Sequence, residues 1–202
     1  MLFDVDAAAA LDRLRRETLV AHCPDAGAPV FADGSPTARL ALIGEAPAER
    51  DETTGRPFSG PAGHLLDDLL AEAGLNRQDL WLTNVVKCRP VKLEGRILRN
   101  RPPTAKEIAQ WSAELQQELL AVQPRVVLCF GATAAAAVIR KGFKLSQERG
   151  QWFPGPVGSR AMATFHPAYV LRLEGQPQDA VRLVVLHDLR AAAAAAAIDG
   201  AA

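Results

Sequence analysis

Short apolar runs alternate with longer amphipathic segments along most of the chain. The apolar runs have the length and composition of buried strands and cover residues 39–44, 79–84, 125–131 and 160–166. Leucine or alanine recurs at helical spacing in other segments, which predict helices over 11–19, 60–75, 104–124, 132–142 and 179–197. Strands that are apolar throughout and separated by helices indicate a parallel sheet covered on both faces. We therefore predict a single-domain α/β/α sandwich with a central, mainly parallel four-stranded sheet.

The same pattern divides the chain into a domain and two flanking segments. Residues 30–190 contain all four predicted strands and form the predicted domain. Residues 1–29 predict an N-terminal helix and loop that pack on the domain, and residues 191–202 predict an Ala-rich helix end or tail. A chain of 202 residues is long enough for one well-formed core.

Composition places few limits on function. Lys+Arg and Asp+Glu both total 23, so bulk charge suggests neither a nucleic-acid nor a membrane partner. No segment approaches the ~20 consecutive apolar residues of a membrane span, and the acidic N-terminus is unlike a signal peptide. Cys23, Cys88 and Cys129 give no evident disulfide framework. We expect a monomer in a reducing cytoplasm, with no membrane association.

Three strand ends carry unusual polar residues, and ligands of parallel sheets bind outside the carboxyl ends of the strands. "GEAPAERDETTGRPFSG" (44–60) places acidic residues beside Phe58 and contains no phosphate-binding loop, which disfavours a general nucleotide-binding module. Asn84 has an amide that can both donate and accept hydrogen bonds. His166 ends the fourth strand. Each residue also has a structural interpretation, as a core phenylalanine, a turn-forming asparagine and a structural histidine.

The segment 87–106 is strongly basic. It holds seven basic residues against one acid, Glu94. The basic residues are Lys87, Arg89, Lys92, Arg96, Arg99, Arg101 and Lys106. Such a segment is either a solvated face or the contact surface for a phosphate backbone, and its apolar Ile97 and Leu98 predict that it folds back on itself. A ring surface, an amide, a histidine and a basic loop together suggest a nucleobase drawn out of a nucleic-acid strand.

Several ordered motifs between about Val30 and Leu186 resemble those of the uracil-DNA glycosylase superfamily, and most closely its family 4. They are "LIGEAPA", "TGRPFSGPAGHLLD", "TNVVKCRP", "NRPPTAKEIAQW", "RVVLCFGATA", "RG" at 149–150 and "HPAYVLR". The resemblance implies a DNA-repair enzyme that hydrolyses the N-glycosidic bond of uracil in single- or double-stranded DNA and leaves an abasic site. The alternative is a catalytically silent DNA-binding protein that retains the fold.

The resemblance also implies which residues bind uracil. Phe58 would stack on the flipped base, and Asn84 would bond its Watson–Crick edge and so reject cytosine. Glu45 and the backbone at Ala46 would line the pocket. His166 would donate a hydrogen bond to the O2 oxygen as negative charge develops there.

Catalytic and DNA-contacting residues follow from the same resemblance. Asp51 would orient the attacking water or stabilise the sugar cation, and Asn100 would assist Asp51. With His166, these are the predicted catalytic residues. "AYVLR" would enter the duplex beside the extruded base. The predicted DNA contacts are Lys87, Arg89, Arg96, Arg99, Arg101 and Arg172.

This chain departs from the resembled pattern at the cofactor positions. In family 4 the "KCRP" cysteine, here Cys88, helps to hold a four-iron, four-sulfur cluster with an N-terminal cysteine pair and a fourth cysteine. Here the fourth position is Trp111, and the pair falls near Glu17 and Val20 with only Cys23 nearby. Four thiolates are required and at most two are available, so we predict no cofactor and no metal, with Cys88 a relic of the site.

Two residues of the first motif also differ, since Ala48 and Asp51 stand where the family usually has Gly and Glu. A related branch traps uracil on a histidine, but residues 91–103 contain none, which predicts turnover. Cys88 remains an alternative nucleophile between two cations, although no nearby histidine is evident to activate it.

Overall fold

The computed structural model describes residues 2–21, 23 and 27–197. Its strands are β1 Asp33–Gly34, β2 Leu40–Gly44, β3 Trp81–Asn84, β4 Val91–Glu94, β5 Ile97–Asn100, β6 Val126–Phe130, β7 Phe153–Pro154 and β8 Arg160–Thr164. Its α-helices are α1 Leu2–Leu19, α2 Glu49–Thr54, α3 Pro61–Glu72, α4 Ala105–Val122, α5 Gly131–Val138, α6 Leu145–Glu148, α7 Pro167–Val170 and α8 Gln176–Ala197. The α/β class predicted from the sequence is confirmed.

The central sheet has six strands in the order β1-β3-β2-β6-β8-β7. The four predicted strands are its inner members β3, β2, β6 and β8, and the pairings among these four are all parallel. The prediction of four strands is wrong, because the two-residue strands β1 and β7 pair antiparallel at the edges. Two residues are too few to show an alternating pattern.

Apolar side chains cover the sheet on both faces. In β2, Ala41 and Ile43 belong to one core cluster, while Leu40 and Leu42 belong to the other. Helices α1, α4 and α5 complete the first cluster, and α3, α7 and α8 complete the second. Both faces are therefore dry, and the carboxyl edge of the sheet remains open for a ligand.

The flanking segments are bound to this core. Leu11 and Leu14 of α1 are buried in the first cluster. Helix α8 runs without interruption to Ala197, and its Ala192 and Ala196 are buried, so residues 191–197 belong to a packed helix. Residues 198–202 of the predicted tail lie outside the described residues. The three-part division of the chain stays a prediction.

Two cysteines form a disulfide that the sequence analysis missed. Cys23 is bonded to Cys88, with their Cα atoms 5.5 Å apart, while Cys129 is a buried free thiol. The expectation of no disulfide is therefore wrong. Sixty-five positions separate the two residues, and only the fold shows that they meet.

In the described part of the chain, none of the helices combines the length and the apolar character that crossing a bilayer requires.

Candidate nucleobase-binding site

A cavity of about 550 Å³ opens at the carboxyl edge of the sheet, a size in the ordinary range for small-ligand sites. Its walls come from the segments that follow β2, β3, β6 and β8, together with the base of the β4–β5 hairpin. The residues of the walls that carry functional side chains are Glu45, Asp51, Phe58, Asn84, Asn100, Arg101, His166, Tyr169 and Arg172, and Ala46 and Ala48 also line it. All of the residues predicted for uracil binding and catalysis are therefore brought together at this cavity.

Phe58 supplies a rigid ring face. Its ring is stacked on the His166 ring at a centroid distance of 6.2 Å and meets the Phe130 ring edge-on at 5.9 Å. Its backbone has a φ of +53°, which favours glycine, so this conformation must be held by neighbours. Arg77 donates to the Pro57 carbonyl at 2.5 Å and to the Phe58 carbonyl at 3.3 Å. The sequence analysis did not identify this brace, because Arg77 lies in a different segment.

Asn84 presents an amide to the cavity. It is only 3% exposed, and its side chain forms no hydrogen bond with any other described residue. A buried polar group without a partner is unfavourable unless a ligand or water satisfies it. Gly44 permits its position, since a Cβ atom there would collide with the Asn84 oxygen and the Phe58 ring.

His166 carries a neutral imidazole of one defined tautomer. Burial first, and then the positive charge of Arg172, lower the pKa of His166 from 6.5 to about 4, while Asp51 opposes them. Its Nδ1 atom accepts the Ala168 N–H at 3.0 Å, at the start of α7. Because Nδ1 is an acceptor, the proton of the neutral ring lies on Nε2. The ring therefore offers a fixed N–H donor.

Asp51 braces the loop that carries Phe58. Its Oδ1 atom accepts the Ser59 N–H at 2.6 Å and the Ser59 hydroxyl at 2.9 Å. Its Oδ2 atom accepts the Ala48 N–H at 2.9 Å, which leaves that oxygen able to accept from a ligand or water as well. Asp51 thus borders the cavity and also closes the turn between α2 and α3.

Glu45 is fixed by a residue that the sequence analysis missed. The Thr133 hydroxyl, in the first turn of α5, donates to the Glu45 carboxylate across the cavity wall. The strand-end segment "CFGATA" contains this threonine, but a single hydroxyl there gave no signal. The pairing joins the segments after β2 and β6, which are 88 positions apart along the chain.

The structure corrects the prediction that Lys87 contacts DNA. Its side chain is 0% exposed and pairs with the equally buried Glu118 at 2.5 Å. Its Nζ atom also donates to the Thr83 hydroxyl at 2.7 Å and to the Asn84 carbonyl at 2.8 Å. An ammonium with three protein partners and no solvent access cannot reach a phosphate, so Lys87 supports the strand end from within.

The Arg89 side chain is also turned inward, so the prediction that it contacts DNA is corrected as well. It is 7% exposed, and its guanidinium lies 3.5 Å from Glu52 and 3.8 Å from Glu49. Its Nε atom donates to the Asn100 side-chain oxygen at 2.7 Å. Because the Asn100 side-chain oxygen accepts this bond, its amide N–H groups are the part of the side chain that can donate at the cavity rim.

The other residues predicted to contact DNA differ in the protein groups that they already contact. Arg101 lines the cavity and forms a two-pronged pair with Glu107 at 2.7 and 2.8 Å, which lowers the pKa of Glu107 to about 2. Arg99 is exposed and lies 3.2 Å from Glu94. Arg96 is exposed and has no ion-pair partner among the described residues. Arg172 lies over the Tyr169 ring, 5.8 Å from its centroid.

The residues at the expected cluster positions do not fit an iron–sulfur cluster. Cys88 is bonded to Cys23, and Trp111 is buried in the apolar core. Cys129 lies inside β6, where burial raises the pKa of its thiol and disfavours the thiolate. Among the described residues, no group of three or more His, Cys, Asp or Glu side chains is arranged to hold a metal ion.

The fold and the cavity define an α/β protein with a candidate ligand site at the carboxyl edge of a parallel sheet. The sequence model of the Uracil DNA glycosylase superfamily matches residues 31–190 of this chain. The chain is 36% identical to a Type-4 uracil-DNA glycosylase of Thermotoga maritima, over 81% of this chain and 80% of the relative. It is 34% identical to the Type-4 uracil-DNA glycosylase of Archaeoglobus fulgidus, over 68% and 69% of the two chains. A Type-5 uracil-DNA glycosylase of Pyrobaculum aerophilum is 32% identical, over 70% and 66%. The chain belongs to the uracil-DNA glycosylase superfamily.

Proposed function

We propose that the protein is a DNA-repair enzyme that hydrolyses the N-glycosidic bond between uracil and deoxyribose in DNA. The observation that carries this proposal is the Asn84 amide, which is buried, faces the cavity and has no described partner. An amide presents a donor beside an acceptor, which matches the N3–H and O4 groups of uracil. Cytosine presents the opposite pattern there, so a fixed amide leaves its groups unpaired and rejects it.

Phe58 and Glu45 complete the base pocket in this proposal. The Phe58 ring stacks on the extruded base, and the Arg77 hydrogen bonds to the Pro57 and Phe58 carbonyls hold the ring in place near Asn84. The Glu45 side chain and the Ala46 backbone close the pocket, with Thr133 holding the carboxylate. The pocket is therefore formed before the base enters.

His166 stabilises the leaving group. When the glycosidic bond breaks, its electron pair departs with uracil N1 and spreads to the O2 oxygen, while the sugar becomes cationic. The Nε2–H of neutral His166 donates to O2 as that charge grows. Water then adds to the sugar carbon, and the net reaction consumes one water and yields neutral uracil and an abasic site.

Asp51 and Asn100 divide the remaining work. The Oδ2 atom of Asp51 accepts a hydrogen bond from the attacking water and faces the developing sugar cation with its negative charge. Asn100 donates from the opposite rim, because Arg89 occupies its oxygen. Arg96, Arg99 and Arg172 contact DNA phosphates. The enzyme acts on uracil in single- or double-stranded DNA. It works in the cytoplasm as a monomer.

The proposed enzyme works without a cofactor. Its three cysteines supply fewer thiolates than a four-iron cluster requires, and two of them are bonded to each other. Iron and acid-labile sulfide near four per chain in anaerobic preparations would overturn this part of the proposal.

The decisive experiment is uracil release from labelled single- and double-stranded oligonucleotides, followed by cleavage of the abasic site. Under single-turnover, saturating conditions, His166→Ala should slow release by roughly 10²–10³. His187→Ala is the matched control, because that histidine is exposed on α8. Asn84→Asp should lose both rate and selectivity against cytosine. If the wild-type protein binds these oligonucleotides at low salt but releases no uracil from acid to neutral pH, it is a silent DNA-binding protein.

A further inference from the structure

The β4–β5 hairpin carries an exposed apolar pair that the proposed reaction does not use. Its register places Leu93 opposite Leu98, and Val91 opposite Asn100. Directly opposed residues of an antiparallel pair share a face, and side chains alternate along each strand. Val91, Leu93, Leu98 and Asn100 therefore lie on one face of the hairpin, and Ile97 lies on the other.

This face is continuous with the cavity. Asn100 lines the cavity and Val91 is buried beside it, whereas Leu93 and Leu98 are 68% and 48% exposed further along the same face. The apolar Ile97 and Leu98 predict a loop that folds back on itself, and the hairpin does form, but both residues remain exposed. Two neighbouring leucines in water are unfavourable unless a partner covers them.

Other exposed apolar residues are concentrated at the same mouth. The described chain exposes nine large hydrophobic residues, and five of them belong to two segments that line the cavity. Leu93 and Leu98 are on the cavity face of the hairpin, Ile97 is on its other face, and Tyr169 and Leu171 lie at α7. Exposed apolar residues at the entrance of a site, here the four other than Ile97, indicate contact with the ligand that enters it.

Charge identifies the occupant as nucleic acid. Arg96 occupies the hairpin turn without an ion-pair partner among the described residues, and Arg99 and Lys92 flank the leucines from the opposite face. Lys92 and Arg99 share a single acid, Glu94, at 2.6 and 3.2 Å, so the tip is positively charged overall. A positively charged hairpin that carries apolar side chains on one face matches a nucleic acid, which offers base faces beside phosphates.

We propose that Leu93 and Leu98 form a wedge that packs on a nucleobase left unstacked when uracil is extruded from duplex DNA. The proposal rests on the proposed function, because extrusion creates the exposed base face that the wedge covers. The hairpin is held at its base by the Arg89–Asn100 bond and by Arg101, which donates to the Val91 carbonyl at 2.9 Å. The wedge is thus fixed relative to the pocket.

The test measures binding to a duplex that carries a stable abasic-site analogue opposite guanine, which needs no cleavage. Leu93→Ser/Leu98→Ser should weaken binding about 10-fold, the scale of losing one base contact, with an unchanged salt slope because no phosphate contact is lost. Ile97→Ser is the matched control, being 58% exposed on the opposite face of the same hairpin, and should stay within about twofold. Leu93→Met/Leu98→Met keeps an apolar surface and should retain affinity.

Additional measurements distinguish the possible outcomes. The fluorescence of a 2-aminopurine next to the abasic analogue reports how that base stacks, so it should change when the wild-type and Met variants bind and change less when the Ser variant binds. Equal affinity of the Ser variant and the Ile97→Ser control, with both folded by circular dichroism, overturns the proposal. Unchanged DNA affinity together with loss of wild-type self-association in sedimentation also overturns it and indicates a protein interface. Uracil release by the wild type, measured separately, distinguishes a failed wedge from a failed glycosylase.

Discussion

One hydrogen bond from the backbone sets the tautomer of His166. The Ala168 N–H occupies Nδ1, so the donor is on Nε2, and burial keeps the ring neutral. Neither fact is visible in "FHPAYVLR", where the histidine could equally be a charged surface group. The sequence places the residue at a strand end with Arg172 close by in the same motif, but the aromatic surroundings that bury the ring come from Phe58 and Phe130, which are remote in the chain.

The first prediction concerns the titration of this imidazole. The pKa of His166 is about 4 in the folded protein, against 6.5 when unperturbed, so the ring should stay neutral from pH 8 to below pH 6. A depressed histidine pKa stabilises the fold above pH 6.5, and this contribution is lost as the pH falls from 6.5 towards 4. Imidazole NMR signals recorded against pH measure the value, with His166→Gln identifying the peak. Titration near 6.5 would contradict the neutral-donor role.

At the scale of the elements, long periodic segments were predicted well and short ones were not. The four inner strands and helices α3, α4 and α8 follow from hydrophobic spacing. Helices α2, α6 and α7 have four or six residues each, too few for a period to appear. The β4–β5 hairpin was treated as a basic loop, although apolar and charged residues alternate along "VKLEG". The number of cations there obscured the alternation.

The same difficulty explains the errors at Lys87 and Arg89. A count of charges does not show which side chains turn inward, because burial depends on acids supplied by other elements. Glu118 on α4 draws Lys87 into the core, and Glu52 on α2 draws Arg89 inward. The basic segment is therefore divided into cations that support the site and cations that face solvent.

The second prediction uses this division. Lys87→Met should destabilise the protein by about 3–5 kcal/mol, because it leaves the Glu118 carboxylate buried without its cation and with the Trp81 indole N–H as its remaining partner. Arg96→Met, on the exposed hairpin turn, should change stability by no more than about 0.5 kcal/mol. Urea unfolding of the two variants measures both values.

The double variant Lys87→Met/Glu118→Gln is the control for this interpretation, because the glutamine oxygen can still accept the Trp81 indole N–H. It removes both charges, so it should recover much of the lost stability if the unpaired carboxylate is the cause. Equal unfolding midpoints for Lys87→Met and Arg96→Met would show that the ion pair contributes little to the fold.

At the scale of the whole molecule, the disulfide joins the N-terminal segment to the loop after β3. The third prediction is that the oxidised protein is more stable than a Cys23→Ser/Cys88→Ser variant by about 2–4 kcal/mol. Urea unfolding measures the difference, and thiol counting in denaturant reports the bond. One reactive thiol, Cys129, is expected in oxidised protein and three after reduction. Three thiols in an air-oxidised preparation would show that the bond does not form.

The disulfide also changes the connectivity of the chain. Residues 23–88 become a closed covalent ring, and this ring contains Glu45, Asp51, Phe58 and Asn84, while His166 lies outside it. A protease that cut the backbone once within the ring would leave a single covalent molecule, since the two ends would still be joined through sulfur. The residues proposed to hold the base are thus enclosed in one loop, and the histidine proposed to stabilise the leaving group belongs to the open remainder of the chain.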